Sequence, residues 1–138
     1  MNTRNIRASF ASILACTALM FPIGLAKADP TMECSIGKSS QVEIGNCLVT
    51  VEKNAEAAME SALRFASSSA TELDKAAGRD LASPALQAGQ AAWQQYRDKH
   101  CEFVGATFGG GSGTGIAIQG CRIELARERY AQLMQFAQ

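Results

Sequence analysis

Apolar residues recur every third or fourth position along much of this chain, and that spacing confines it to packed helices. From Ile44 the inward set runs through Cys47/Leu48, Val51, Ala55, Met59, Ala62/Leu63 and Ala66, while Glu52, Lys53, Glu56 and Glu60 fall mostly off the stripe. Such a division of apolar and charged positions marks an amphipathic helix. Ser40-Gln41-Val42-Glu43 has capping-box spacing, which predicts a start there and a run to about Phe65 or Ala66. Ser67-Ser68-Ser69 loosens the pattern, and Thr71 to Leu81 carries the inward set of a short further helix in Leu73, Ala76/Ala77 and Leu81. A second long helix is expected from about 84 to 104, with Ser83 as its cap and Pro84 at the first helical position. Its face holds Leu86, Gly89/Gln90, Trp93, Tyr96/Arg97, His100/Cys101 and Val104, and no period-2 alternation supports a strand. Ile118, Cys121/Arg122, Leu125, Arg129/Tyr130, Leu133 and Phe136/Ala137 mark a final helix. Asp29 to Ser39, with Pro30 and Gly37, has no helical period and reads as a leader. The fold expected is all-α, a small antiparallel bundle of three long helices plus a short one.

The first residues are a different kind of sequence. Met1 to Arg7 carries Arg4 and Arg7 without an acid, Ala8 to Leu25 is mostly apolar and uncharged, and Ala26-Lys27-Ala28 is an A-x-A exit. A basic start, an apolar run and a small-residue site make a secretory signal. The bland alternative is a membrane anchor, but Pro22 and Gly24 interrupt the run close to the A-x-A. A lipoprotein reading through Ile13-Leu14-Ala15-Cys16 is weaker, because the apolar stretch before Cys16 is short and the run continues past it. Residues 1–28 are therefore read as a cleaved signal peptide and 29–138 as one domain, periplasmic or secreted, with no stable membrane span after cleavage.

Cleavage changes the arithmetic. It takes Arg4, Arg7 and Lys27 from the 13 basic groups and nothing from the 13 acids, leaving a net charge of −3. It also takes Cys16 and leaves Cys34, Cys47, Cys101 and Cys121. Four cysteines in an exported domain of this size read as two disulfide staples. Three connectivities are open to them. The expected pairing is the local one, Cys34–Cys47 and Cys101–Cys121, which closes one loop into the first long helix and another around the glycines.

Gly105 to Gly120 holds seven of the chain's twelve glycines, a density that marks a loop. No Lys follows these glycines in Walker fashion, and a helix rather than a strand precedes them, so a nucleotide site is not expected. There is no C-x-x-C and no C-x-x-C-H, and the single His100 beside Cys101 has no useful ligand spacing. Neither a metal nor another cofactor is expected. No nucleophile, base and oxyanion donor assemble, so the chain does not read as an enzyme. Balanced charge removes the basic footprint of a nucleic-acid binder. Trp93, Tyr96, Phe103 and Tyr130 read as core. Phe108 lies in the loop, outside any core period, and Ser112 and Thr114 add hydroxyls. A mobile loop over 105–117 on a rigid scaffold is the candidate partner-binding segment, with Phe108, Ser112 and Thr114 its contact residues.

Gln90-Ala91-Ala92-Trp93-Gln94-Gln95-Tyr96-Arg97-Asp98-Lys99-His100-Cys101, then Gly110-Gly111-Ser112, then Cys121 and Arg129 with Leu133, resemble the lysozyme-inhibitor LprI-like family of exported bacterial proteins. That family shows Q-x-x-W-x-x-Y/F-R-D-x-x-C, G-G-S and C-x-x-x-L-T-x-x-R. The likeness spans about residues 34–136, with Gln41-Val42-Glu43 before Cys47 similar to the family's first segment. Ala126 stands where the family favours Thr. Glu56 keeps the family's acid, while Met59 and Glu60 replace its Leu-Asn. The resemblance implies an exported helical domain that binds lysozyme as a protein partner; the alternative is an envelope interaction or stress module with no muramidase target. Trp93, Tyr96, Arg97, Asp98 and Arg129 read as its scaffold. Arg97 can fork to a carboxylate or to helix-ending carbonyls, and Asp98 or Glu102 is expected to receive Arg122 or Arg129 from the last helix.

Overall fold

The computed structural model describes residues 28–137, so the expected export signal up to Lys27, with Cys16, lies outside the described residues. Four helices follow in order: α1 (Pro30–Ser35), α2 (Gln41–Ala77), α3 (Ala82–Ala106) and α4 (Gly113–Met134). No strand occurs among the described residues. The fold is all-α, with three long helices and one short one, and α4 lies along α2 and against α3.

The short helix is not where the sequence pattern put it. Asp29 to Ser39 reads as an aperiodic leader, yet α1 forms there. Six residues are too few to display a period, and the start is set instead by Asp29 and Pro30. The Asp29 carboxylate accepts from the N–H of Thr31 at 2.8 Å and of Met32 at 3.4 Å, and Pro30 sits at the first position, where its missing N–H is no loss. The helix expected over 71–81 is instead the end of α2, which runs unbroken through Ser67-Ser68-Ser69 to Ala77. Buried Ala66, Ala70 and Asp74 continue its inward stripe past the serines, so packing outweighs their small propensity deficit. Leu73 and Leu81, assigned inward by period, are exposed. α2 ends at Gly78, whose φ of 62° is left-handed and whose N–H returns to the carbonyls of Asp74 and Lys75. Its start is the capping box: Ser40 Oγ accepts from the Glu43 N–H at 3.3 Å, and the Glu43 carboxylate accepts from the Ser40 N–H at 3.1 Å.

α3 begins at Ala82 rather than Pro84, and Ser83 is not its cap. The capping oxygens come from α2. Asp74, 7% exposed, accepts from the N–H of Leu81 at 3.0 Å and Ala82 at 2.7 Å through Oδ1, and of Ser83 at 2.9 Å through Oδ2. One carboxylate thus satisfies three otherwise unpaired first-turn donors and locks the α2–α3 hairpin.

Residues 105–117 were expected as loop, but only 107–112 lie between α3 and α4. The glycines divide into two uses. Gly109 and Gly110 take φ of 65° and 79°, which the turn requires. Gly105 and Gly120 are buried within helices, where a side chain has no room: a Cβ on Gly105 would lie 2.7 Å from Ile118 Cδ1, and one on Gly120 2.8 Å from Thr31 Oγ1. They let α4 approach α3 and let α1 approach α4. Disulfides join Cys34 to Cys47 and Cys101 to Cys121, with Cα separations of 5.7 and 5.6 Å, the local pairing.

The core comes in two parts. Met59, Ala62, Ala66 and Leu133 form one, with Leu63, Leu86 and Trp93 against it. Cys34, Leu48 and Ile123 form the other, joined by Ile44, Cys47, Val51, Ala55 and Ile116. Tyr96, Phe103 and Tyr130 belong to neither and are exposed, against the reading of them as core. The inward face of α3 narrows to Gln90, Trp93, Arg97, Cys101 and Gly105, and Tyr96 and Phe103 fall just beside it.

Candidate functional site

Along α2 Glu56 falls between Ala55, the last residue of one apolar cluster, and Met59, the first of the other, with Glu52 one turn before it, and charged groups from α3 and α4 converge on these two acids. Arg97 donates through Nη1 to Glu56 at 3.1 Å and through Nε and Nη2 to Asp98 at 3.1 and 2.9 Å. Its guanidinium carbon stands 5.4 Å from the centre of the Trp93 ring, and that of Arg129 stands 6.0 Å from the same ring. Two cations therefore flank one indole, a favourable arrangement for a π face. Arg129 Nε donates to Gln90 Oε1 at 2.9 Å, and buried Gln90 donates through Nε2 to the Met59 sulfur at 3.6 Å. Arg122 reaches Glu52 at 3.7 Å. Burial raises the Glu52 carboxyl above its ordinary value, with Arg122 opposing that shift. Burial likewise holds the Arg129 guanidinium below its ordinary value.

The motif residues Trp93, Arg97, Asp98 and Arg129 thus come together, with Glu56, the acid the family pattern keeps, supplying Arg97's partner on another helix. Tyr96 does not join them; its ring stacks on His100 with centroids 5.2 Å apart. The expected transfer of Arg122 or Arg129 to Asp98 or Glu102 is not made. Asp98 takes Arg97, Glu102 takes Lys99 at 2.8 Å, and Arg122 and Arg129 go to Glu52 and Gln90. For Arg129 the reason is register: the Cys101–Cys121 bridge between antiparallel helices sets Asp98 level with about residue 124, a turn or more from Arg129, whereas Arg122 turns to Glu52 on α2.

The loop residues separate. Phe108 is 55% exposed, but one edge covers Gly113, where a Cβ would come 3.1 Å from its ring. Ser112 is exposed at the start of α4 and makes no capping bond. It lies on the lip of a shallow groove of about 430 Å³ that also includes Gln41, Val42, Gly45, Ile116 and Gln119. Thr114 turns the other way: its Oγ1 is buried without a hydrogen-bond partner, and its methyl faces Gly105. Phe108 and Ser112 form an outward pair, and Thr114 belongs to the helix contact behind them.

Two features escaped the sequence pattern. Asp74 caps a helix that starts eight residues later, a relation no local spacing displays. An open apolar cleft of about 1040 Å³ lies between the ends of α2, α3 and α4, where Phe65, Leu73 and Phe136 are exposed. Among the described residues no group of three or more His, Cys, Asp or Glu is placed to hold a metal ion, and no helix is long and apolar enough to cross a membrane.

Comparison with known proteins gives a family match over most of the chain. The family described as lysozyme inhibitor LprI matches residues 32–133. An uncharacterized protein, R02472 of Rhizobium meliloti (strain 1021), is 30% identical over 129 residues, covering 89% of this chain and 88% of its own length. No solved structure matches.

Proposed function

Since the chain belongs to the LprI lysozyme-inhibitor family, we propose that it is an exported envelope protein that binds and inhibits lysozyme-type muramidases. The family match over residues 32–133 is the observation that carries this reading. Two disulfides suit an oxidising compartment. α1 also starts close behind the A-x-A: Asp29, the residue after Ala28, caps it through its carboxylate. Cleavage after Ala28 would leave 29–138 as a single domain with its first residue already in use as a cap.

Inhibition of this kind is steric and needs no chemistry of the inhibitor's own. Phe108 supplies apolar area and Ser112 a hydroxyl on a loop whose ends are held by α3, α4 and the Cys101–Cys121 bridge. Holding the ends limits the ordering entropy lost on binding. The net charge of −3 on residues 29–138 favours encounter with a basic enzyme. The test is lysozyme clearing of a peptidoglycan suspension in the presence of folded 29–138. Saturable slowing of clearance is expected. Unchanged clearance at large molar excess would overturn muramidase inhibition and leave an envelope interaction module.

A further inference from the structure

We propose that the Cys34–Cys47 disulfide is a redox latch on α1: a thiol reductant opens it ahead of Cys101–Cys121 and releases α1, while α2, α3 and α4 stay packed. α1 has six residues, too few to hold as a helix without support from the rest of the fold. Its non-covalent hold is narrow. Pro30 and Cys34 are its buried residues, Thr31 lies at Gly120, and the Glu33 carboxylate accepts from Arg127 at 2.9 and 3.1 Å. Both side chains of that pair are more than a third exposed, and exposed ion pairs contribute little. Met32 and Ile36 face solvent.

The two bridges are not equivalent. Cys101–Cys121 joins helices of 25 and 22 residues that also pack through Gly105 and Ile118, so its loss undocks no element. Cys34–Cys47 instead ties down the six-residue piece. Access differs in the same direction. Cys34, Cys101 and Cys121 are 2, 0 and 8% exposed, whereas Cys47 is only partly buried. A reductant thiolate therefore meets Cys47 first. It bonds to the Cys47 sulfur as the Cys34–Cys47 bond breaks, and Cys34 leaves as a thiolate. The reductant's second thiol then displaces Cys47. The bridge takes up two electrons, the two cysteines take the reductant's two protons, and the reductant's thiols end as one disulfide. Cys34 packs with Leu48 and Ile123, both 0% exposed, so release of α1 uncovers one of the two core clusters. Closure reverses these steps against a disulfide oxidant, the kind of co-reactant an oxidising compartment supplies. The latch is independent of whether the chain inhibits a muramidase.

Graded reduction of folded 29–138 with dithiothreitol, trapped with N-ethylmaleimide and read by peptide mass mapping, tests the order of opening. Cys34 and Cys47 should be labelled at reductant concentrations about tenfold below those that label Cys101 and Cys121. Labelling of Cys101 and Cys121 first, or of all four together, would overturn the proposal. Cys34→Ala combined with Cys47→Ala removes the latch without reductant or label, and hydrogen exchange then tests what is released. Amide protection over α1 should fall about tenfold or more, while that of α3 and α4 holds. Protection of α1 equal to that of the oxidised wild type would mean that its non-covalent contacts suffice, and the latch would be lost as an idea. A globally unfolded double variant would count against it equally, because the bridge would then hold the whole bundle rather than α1.

Discussion

Asp74 does more for this fold than its place in the sequence suggests. Backbone N–H groups of Ser83, Ala82 and Leu81 all point at its carboxylate and hold the carboxyl well below the usual range. Hydrogen bonds to the charged form are the cause, and they outweigh the opposing effect of burial. In the unfolded chain the group titrates near its ordinary 3.8. A depressed folded value means the stabilisation is complete above the unfolded pKa and is lost as pH falls below it, toward the folded value. Asp74→Asn keeps the shape but leaves one acceptor oxygen for three donors. Its melting temperature should fall by about 5 °C or more at neutral pH, as for loss of a helix cap. Melting curves from about pH 7 to about pH 2 should show the two proteins converging in the acid range. Parallel curves throughout would mean the carboxylate charge is not what caps α3.

At the scale of elements, the six-residue connection between α3 and α4 is where binding and folding are most separable. Phe108 and Ser112 face outward, whereas Thr114 lies behind them against Gly105. Replacing Phe108 and Ser112 together by Ala should weaken lysozyme inhibition at least tenfold, the scale of losing one well-placed contact residue. Helical content and melting temperature should hardly change, because neither side chain is in the core. Adding Thr114→Ala to the pair would confound the reading, since that position touches the helix contact. Full inhibition by the double variant would move the binding surface to a helix face, with Asp98 and Glu102 on α3 next to be tested.

For the molecule as a whole, two modest apolar clusters and a charged layer share the work with two covalent ties. Alanines and glycines supply much of the contact between helices, so the area buried per residue is small. Each bridge should contribute roughly 2–4 kcal/mol, mainly by restricting the unfolded chain. Reduction of both should therefore lower the melting temperature by about 15 °C or more. Far-ultraviolet circular dichroism at low temperature should retain most of its helical signal, because α2, α3 and α4 keep their packing. An unchanged melting temperature after verified reduction would show that the two clusters suffice without the bridges.

Much of this was legible in the chain order alone. The stripe from Ile44 to Ala66, the Ser40–Glu43 box, the motif from Gln90 to Cys101 and the even set of four cysteines are local patterns, and local patterns survive in a one-dimensional reading. What the sequence could not display are relations between residues far apart along it. Ser67-Ser68-Ser69 looks like a break until Ala70 and Asp74 are seen to be buried beyond it. Gly105 and Gly120 look like loop until Ile118 and Thr31 are found where their side chains would be. Ser83-Pro84 looks like a start until Asp74 supplies the cap from another helix. The partner of Arg97, and the helix face left open beyond Leu133, follow from the register in which antiparallel helices meet. Register is set by the sum of many weak contacts and two disulfides, and no single segment carries that sum.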